Sequence, residues 1–236
     1  MISALIPAYN EAERIAATIR AVRPLAEEII VADDGSEDDT AARAEAAGAD
    51  VVLRQSHQGK GAALQAAFGL SRGAVLLLLD ADLGDSAAEA KKLLAPVLSG
   101  AADMVIATFP AGTGKGGGFG LVVRLARWGI RRLTGRTMEA PLSGQRALKS
   151  EVALDAGGFA RGWGVEVALT VAALRAGCRV MEIPTNMTHR VTGRSPAAIR
   201  HRAAQFFSVA RTLLRLWRAP SLSDRPAALP APKEPM

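Results

Sequence analysis

In this 236-residue chain, the apolar run Val75-Leu76-Leu77-Leu78-Leu79 is followed at once by Asp80-Ala81-Asp82. The run has no polar alternation, the pattern of a parallel strand buried on both faces. Carboxylates at i and i+2 beyond its C-terminal end project to the same side of the chain. Open α/β sheets bind ligands at that edge. Such a pair can hold a hard divalent cation, Mg²⁺ for example, whose other positions are filled by phosphate oxygens and water. Asp residues past a strand also cap helices or are merely solvated, so the tripeptide alone does not decide. Two more polar turns bear on it, Pro7-Ala8-Tyr9-Asn10-Glu11 and Asp33-Asp34-Gly35-Ser36, each closing an apolar run. N–H groups of a following helix start can meet a nucleotide there, and a carboxylate such as Asp34 can accept from a base N–H or a ribose hydroxyl. Asn10 and Ser36 are equally good N-cap residues.

Placing three turns on one edge requires parallel strands joined by helices. The sequence predicts strands at 2–6, 28–32, 50–53, 74–79 and 103–107, with helices at about 11–22, 37–47, 59–70 and 87–98. Such alternation implies βαβ units with right-handed crossovers. A glycine-rich loop follows at 110–118, then a basic helix at about 119–134 and a strand near 144–149. A helix at about 164–176, strands near 179–183 and 186–190, and a last helix at about 196–218 complete the pattern. The tail from Ala219 carries five of the twelve prolines and no periodicity, and reads as disordered. The expected organisation is a single domain over 1–218, with a nucleotide half at 1–110, an acceptor half at 111–218 and a Pro-rich tail at 219–236.

Composition narrows the function classes. The hydrophobic fraction is 49% and Cys178 is the only cysteine, which excludes an internal disulfide and a Cys-based zinc cluster. The chain opens on Ile2-Ser3-Ala4-Leu5-Ile6, which reads as a first strand and not as a signal peptide, so a cytoplasmic location is expected. Residues 1–100 hold nine Lys/Arg against fifteen Asp/Glu, and the remainder holds twenty against eight. A basic half suits phosphorylated substrates, an anionic membrane or nucleic acid. Aromatics are only 4% and do not interleave with the arginines, so no nucleic-acid partner is expected.

Taken together, Pro-Ala-Tyr-Asn-Glu, Asp-Asp-Gly-Ser and Asp-Ala-Asp resemble the nucleotide-sugar-dependent glycosyltransferases of family 2. The resemblance covers residues 1–110 and implies a GT-A fold, a Rossmann-like, mostly parallel sheet flanked by helices. It implies nucleotide contacts from Pro7, Ala8, Glu11, Asp34 and Ser36, Asp80 on the ribose or sugar, and Asp82 on Mg²⁺ or Mn²⁺. The later series Gln58-Gly59-Lys60-Gly61, Gly116-Gly117-Gly118, Pro141-Leu142-Ser143-Gly144, Gly162-Trp163-Gly164-Val165-Glu166 and Thr188-His189-Arg190 is similar to that of glucosyl-3-phosphoglycerate synthases and their short bacterial relatives. By that resemblance Lys60 reaches the nucleotide, Glu166 acts with Asp80 as catalytic carboxylate, and His189 is a further metal ligand. Gly117, Gly118, Ser143, Gly144, Arg190 and Arg194 then lie on the acceptor side. The reaction implied is retaining transfer of a hexose, glucose from UDP-glucose, to a small phosphorylated or anionic acceptor. The chain departs from the pattern where those enzymes hold the acceptor: Phe119-Gly120-Leu121 lacks their Arg and Thr, and Val191 follows His189-Arg190 in place of Asn.

Other readings are weighed against this one. An inverting polyprenyl- or dolichyl-phosphate hexose synthase and a non-catalytic nucleotide-sugar-binding protein both stay open at this point. A Walker-type NTPase fails because Gly116 follows Gly114-Lys115 and Phe109 stands where the first Gly belongs. A Rossmann dehydrogenase fails because the first turn has no Gly-x-Gly-x-x-Gly. His57 reads as solvated. Two basic amphipathic segments remain. Arg124, Arg127 and Arg131 lie opposite Leu121, Leu125 and Trp128, and Ser208, Arg211, Arg215 and Arg218 lie opposite Phe206, Val209, Leu213 and Trp217. They are expected either to pack on the core with a solvated polar face or to meet anionic lipid from the cytoplasmic side. A homodimer is left open.

Overall fold

The apolar runs pair into one seven-stranded sheet. The computed structural model describes residues 1–109, 120–160, 162–188 and 196–218, with side chains of the last helix from 203 onward. The strands are β1 (Ile2–Ala8), β2 (Glu28–Asp33), β3 (Val51–Arg54), β4 (Val75–Leu78), β5 (Met104–Thr108), β6 (Arg146–Lys149) and β7 (Val180–Pro184), in the order β3-β2-β1-β4-β6-β5-β7. All neighbouring pairs are parallel except those made by β6, which runs antiparallel to both β4 and β5. The helices are α1 (Ile15–Val22), α2 (Thr40–Ala46), α3 (Lys60–Leu70), α4 (Lys91–Leu98), α5 (Leu121–Thr134), α6 (Ser150–Asp155), α7 (Val165–Arg175) and α8 (Pro196–Arg218), with a 3-10 helix at Gly84–Ala90.

Helices cover both faces of the sheet, which explains the unbroken apolar strands. Ala4, Ile6, Ile29, Val31 and Leu77 pack on one side with Ile15, Ile19, Leu93 and Val97. Leu5, Ile30, Leu76 and Leu78 face the other side with Leu64, Ile130, Val167 and Leu169. The i, i+2 alternation of a strand assigns each residue to its layer.

The antiparallel strand decides what meets Asp80. Arg146 pairs with Leu78 and Lys149 with Val75, so β6 begins where β4 ends. Residues 143–145 therefore arrive at the C-terminal edge of the parallel strands, beside Asp80. Register alone joins the two halves of the chain there.

Several predicted boundaries move. The helices expected from 11 and 37 start at Ile15 and Thr40, and the one expected at 87–98 is a 3-10 helix passing into α4. The strand expected at 186–190 does not form over its described part, 186–188, which is irregular. There Asn186 N donates to Glu89 Oε2 (3.1 Å) and Thr188 N to Ser86 Oγ (3.0 Å), so these backbone groups bond side chains rather than a neighbouring strand. Helix α6 was not anticipated. The expected tail at 219–236 and the whole glycine loop at 110–118 lie outside the described residues.

Candidate active site

The first two turns lock onto each other. Asn10 N donates to Ser36 Oγ (2.9 Å), and Glu37 N donates to Asn10 Oδ1 (2.8 Å). Glu11 N donates to Thr40 Oγ1 (2.8 Å), Ala12 N to Asp38 Oδ2 (3.2 Å) and Asp34 N to Ala8 O (2.9 Å). Asn10 and Ser36 thus cap the opposite turn, not their own helices, which explains why α1 and α2 start late. Asn10 takes φ 54°, the left-handed region that Asn tolerates better than most residues. Pro7 and Ala8 lie buried at the end of β1 beneath this lattice.

Asp34 is buried and its carboxylate is fully used. Oδ1 accepts from Gln55 Nε2 (2.7 Å) and Gln58 N (2.9 Å), and Oδ2 from Gly59 N (2.7 Å). His57 Nδ1 lies 2.9 Å from Oδ2, and its ring is tilted against Tyr9 at 4.4 Å between centroids. The expectation that His57 is merely solvated is therefore corrected: its ring is exposed, but Asp34 and Tyr9 hold it. The carboxylate fixes the 57–59 turn, and with it the start of α3 and Lys60.

Lys60 is the centre of the site. Its Nζ lies 2.6 Å from Asp80 Oδ1 and 3.0 Å from Glu166 Oε1, the second residue of α7. Gln145 Nε2 donates to Asp80 Oδ2 (2.7 Å), and Ser143 Oγ donates to Gln145 Oε1 (3.2 Å). Burial alone would push the Lys60 ammonium down, but Asp80 and Glu166 prevail and raise it above the ordinary value of 10.5. A side chain at Gly144 would collide with this group, its Cβ falling 2.3 Å from Lys60 Nζ and 3.0 Å from Asp80 Oδ1. Ser143 and Gly144 therefore sit in the Lys60–Asp80 cluster itself.

A fully buried guanidinium holds the other side. Arg146 donates from Nε to Ser143 O (2.9 Å) and from Nη1 to Thr170 Oγ1 (2.9 Å), and Thr170 Oγ1 donates to Glu166 O (2.8 Å). Burial lowers Arg146 to about 10, opposed by the charges of Glu166 and Glu182. Glu182 in turn accepts from Glu139 N (2.8 Å) and Ala140 N (2.7 Å), tying the 139–145 segment to β7.

The carboxylate pair is braced from α1. Thr18, fully buried, donates from Oγ1 to Ala81 O (2.8 Å) and accepts from Gly84 N (2.8 Å), while Arg14 Nη1 donates to Asp82 O (3.2 Å). Thr188 is fastened to Ser86, four residues beyond Asp82, and His189 follows it in sequence. His189, Arg190, Arg194, Gly117 and Gly118 lie outside the described residues.

Residues 3–158 match the glycosyl transferase family 2 domain. The chain belongs to glycosyltransferase family 2. It has the GT-A fold. The glucosyl-3-phosphoglycerate synthase of Mycolicibacterium paratuberculosis is 35% identical over 195 residues, 72% of this chain and 59% of that protein. The chain thus spans less than two thirds of that relative's length. The polyprenol monophosphomannose synthase of Mycolicibacterium smegmatis is 34% identical over 233 residues, 89% of this chain and 86% of that protein. Among solved structures, glucosyl-3-phosphoglycerate synthase from Mycobacterium tuberculosis with Mn²⁺, UDP and phosphoglyceric acid aligns with TM-score 0.78 and 28% identity, over 93% of this chain and 79% of that one.

The geometry adds residues that the sequence reading of this family 2 site passed over: Thr18, Gln55, His57, Gln145 and Arg146. Gln145 and Arg146 carried one signal, since polar residues opening a predicted strand must either face solvent or find partners. Their burial shows that they found partners.

Proposed function

We propose that this glycosyltransferase moves a hexosyl group, glucose, from UDP-glucose or a close analogue to a small phosphorylated or anionic acceptor, with Mg²⁺ or Mn²⁺ and with retention. The observation that carries this reading is the Lys60 ammonium held between Asp80 and Glu166 at the sheet edge, next to Asp82. A cluster of alternating charges at a ligand-binding edge suits a sugar diphosphate, whose phosphates attract the cation and whose hydroxyls attract the carboxylates.

The residues fit a hard cation. Asp82 stands half-buried on a loop braced by Thr18 and Arg14, and Thr188 is anchored beside that loop one residue before His189. Asp82 and His189 would hold the ion, which when bound neutralises charge on the departing diphosphate. The metal and nucleotide bound by the mycobacterial neighbour support this choice. Pro7, Ala8, Glu11 and Ser36 line the nucleotide side through their interlocked turns. Asp34 orders the 57–60 turn, and a base N–H would meet it by replacing Gln55 or His57. Lys60 keeps Asp80 and Glu166 at fixed separation and presents its charge to the phosphates. Asp80 takes the donor's hydroxyls. Glu166 stabilises positive charge at the anomeric carbon as the bond to the diphosphate breaks. The acceptor oxygen bonds to the same face, and its proton passes to the leaving diphosphate oxygen. Ser143 and Gly144, with Gly117, Gly118, Arg190 and Arg194, border the acceptor's approach.

The test is calorimetry of UDP with Mn²⁺, following a thermal-shift screen of nucleotide sugars. Asp82→Ala and His189→Ala are expected to weaken binding at least tenfold; wild-type affinity in both variants sinks the site. The anomeric configuration of the product, read by NMR, decides retention. A second reading, transfer to a polyprenyl phosphate, is favoured by the exposed apolar and arginine-rich face of α5 and α8. Activity that demands membranes or a lipid phosphate would select it over a soluble acid.

A further inference from the structure

Helices α5 and α8 form an outer layer on α7. They cross at Gly129, where a Cβ would fall 2.4 Å from the Leu213 methyl carbons. Val209 and Leu213 point inward and are buried, but the rest of the expected apolar stripe does not follow them. Trp217 is 69% exposed, Trp128 63% and Phe207 68%, with Leu121 and Leu214 also exposed. Beside the crossing, an apolar cavity of about 500 Å³ opens between Leu125, Trp128, Leu133, Leu214 and Trp217, with Arg132 at its rim. Contiguous exposed apolar surface of this kind marks an interaction site.

The charge around it identifies the partner. Neither 121–134 nor 196–218 contains a single Asp or Glu. Arg124, Arg131, Arg132, Arg211, Arg215 and Arg218 all lie at exposed positions on the two helices. A twofold dimer through this face would oppose arginines to arginines with no carboxylate from either helix, which like-charge repulsion disfavours. An acidic lipid surface satisfies both features: guanidinium groups reach the headgroups while indole rings settle at the hydrocarbon boundary. No helix among the described residues is long and apolar enough to cross a membrane, so the contact is one of lying on the surface.

We propose that the α5–α8 face docks this glycosyltransferase onto an anionic lipid bilayer. Docking does not depend on which acceptor is used. It does bear on the site, because α8 also braces the motif that precedes Glu166. Trp163 N donates to Ser208 Oγ (3.1 Å), and a Cβ at Gly164 would fall 2.1 Å from Thr212 Oγ1. Ser208, expected on the solvated face, is thus turned inward. The bilayer would lie against the helix that sets the start of α7.

The experiment uses the full chain with vesicles of phosphatidylcholine alone or with 30% phosphatidylglycerol. Co-sedimentation with the anionic vesicles is expected, with little on phosphatidylcholine and release by 0.5 M salt. Two of the three tryptophans lie on this face, so emission should shift to the blue and be quenched by brominated lipid. The Arg131→Glu/Arg215→Glu variant is expected to bind at least about 25-fold more weakly, each arginine near an anionic surface being worth roughly fivefold. Trp217→Ser should lose part of the quenching, Trp128 retaining the rest, and circular dichroism checks that both variants fold. UDP binding with Mn²⁺ should be unchanged in both, which separates failure of docking from failure of the nucleotide site. Equal binding to neutral vesicles, or none to either, overturns the proposal, as does a dimer in solution that Trp217→Ser converts to monomer.

Discussion

Gly144→Ala tests the Lys60 cluster with the smallest change available. The backbone at Gly144 does not occupy the left-handed region, so alanine meets no conformational strain there. The added Cβ would lie 2.3 Å from Lys60 Nζ, against an ordinary contact of 3.4 Å or more, so the ammonium must retreat by about 1 Å. Asp80 Oδ1 and Oδ2, at 3.0 and 3.1 Å, must also give. That movement breaks a 2.6 Å charge-assisted hydrogen bond. Bonds of this kind contribute about 1.5–3 kcal/mol. Stability should change less, because removing glycine stabilises by about 0.4–1 kcal/mol through the unfolded chain. We expect kcat/KM to fall roughly 10- to 100-fold with the unfolding free energy within about 2 kcal/mol of wild type. UDP release with Mn²⁺ and the best donor, alongside urea unfolding, gives both numbers. Since the effect travels through Lys60, Gly144→Ala should add little to Lys60→Ala. An activity within twofold of wild type, or full additivity of the two losses, would refute the reasoning.

Thr18→Val preserves shape but leaves Ala81 O and Gly84 N without their hydroxyl partner at a fully buried position. Urea unfolding should show a loss of about 2–3 kcal/mol, and calorimetry a weaker Mn²⁺–UDP complex; a loss below about 0.5 kcal/mol would contradict the bracing role. Asp103→Asn disrupts the ties from Asp103 to Arg179 (3.0 Å) and Lys149 (2.8 Å), which join the ends of β5, β6 and β7. Arg179 first, then Lys149, hold the Asp103 carboxyl far below its ordinary 3.8. A depressed carboxylate stabilises the fold above 3.8 and loses that contribution as pH falls below it. The variant should therefore lose about 1–2 kcal/mol at pH 7, discounted for the exposed partners, and the gap to wild type should close in strong acid. A gap that stays constant down to pH 2 would contradict the linkage.

The parallel half of the fold was legible because burial on both faces leaves an unambiguous mark. Ile29-Ile30-Val31 and Leu76-Leu77-Leu78 are apolar at every position, and each neighbour simply enters the opposite layer. The misread strand at 186–190 has a physical reason too. Met187 is buried in the core under the sheet, so an apolar signal was present. Strand pairing depends on backbone partners, and here Ser86 and Glu89 side chains supply them. Helix α6 is one short element directly after β6, too brief to show a 3.6-residue period.

The site was legible in its parts but not in its contacts. Asp80, Lys60 and Glu166 were each singled out, yet the sequence assigned Lys60 to the nucleotide and Ser143 and Gly144 to the acceptor. What unites them is the direction of β6, and a four-residue strand carries no mark of direction. Were β6 parallel, Gly144 and Gln145 would enter at the far edge and Asp80 would lose Gln145. The reciprocal capping of Asn10 and Ser36 was hidden for a related reason: a good cap residue announces that it will bond an N–H, not whose. Long-range register decides both. Conversely, the closeness of Gly144 to Lys60 explains a glycine where turn geometry demands none. Substitution there should be felt in catalysis before it is felt in folding.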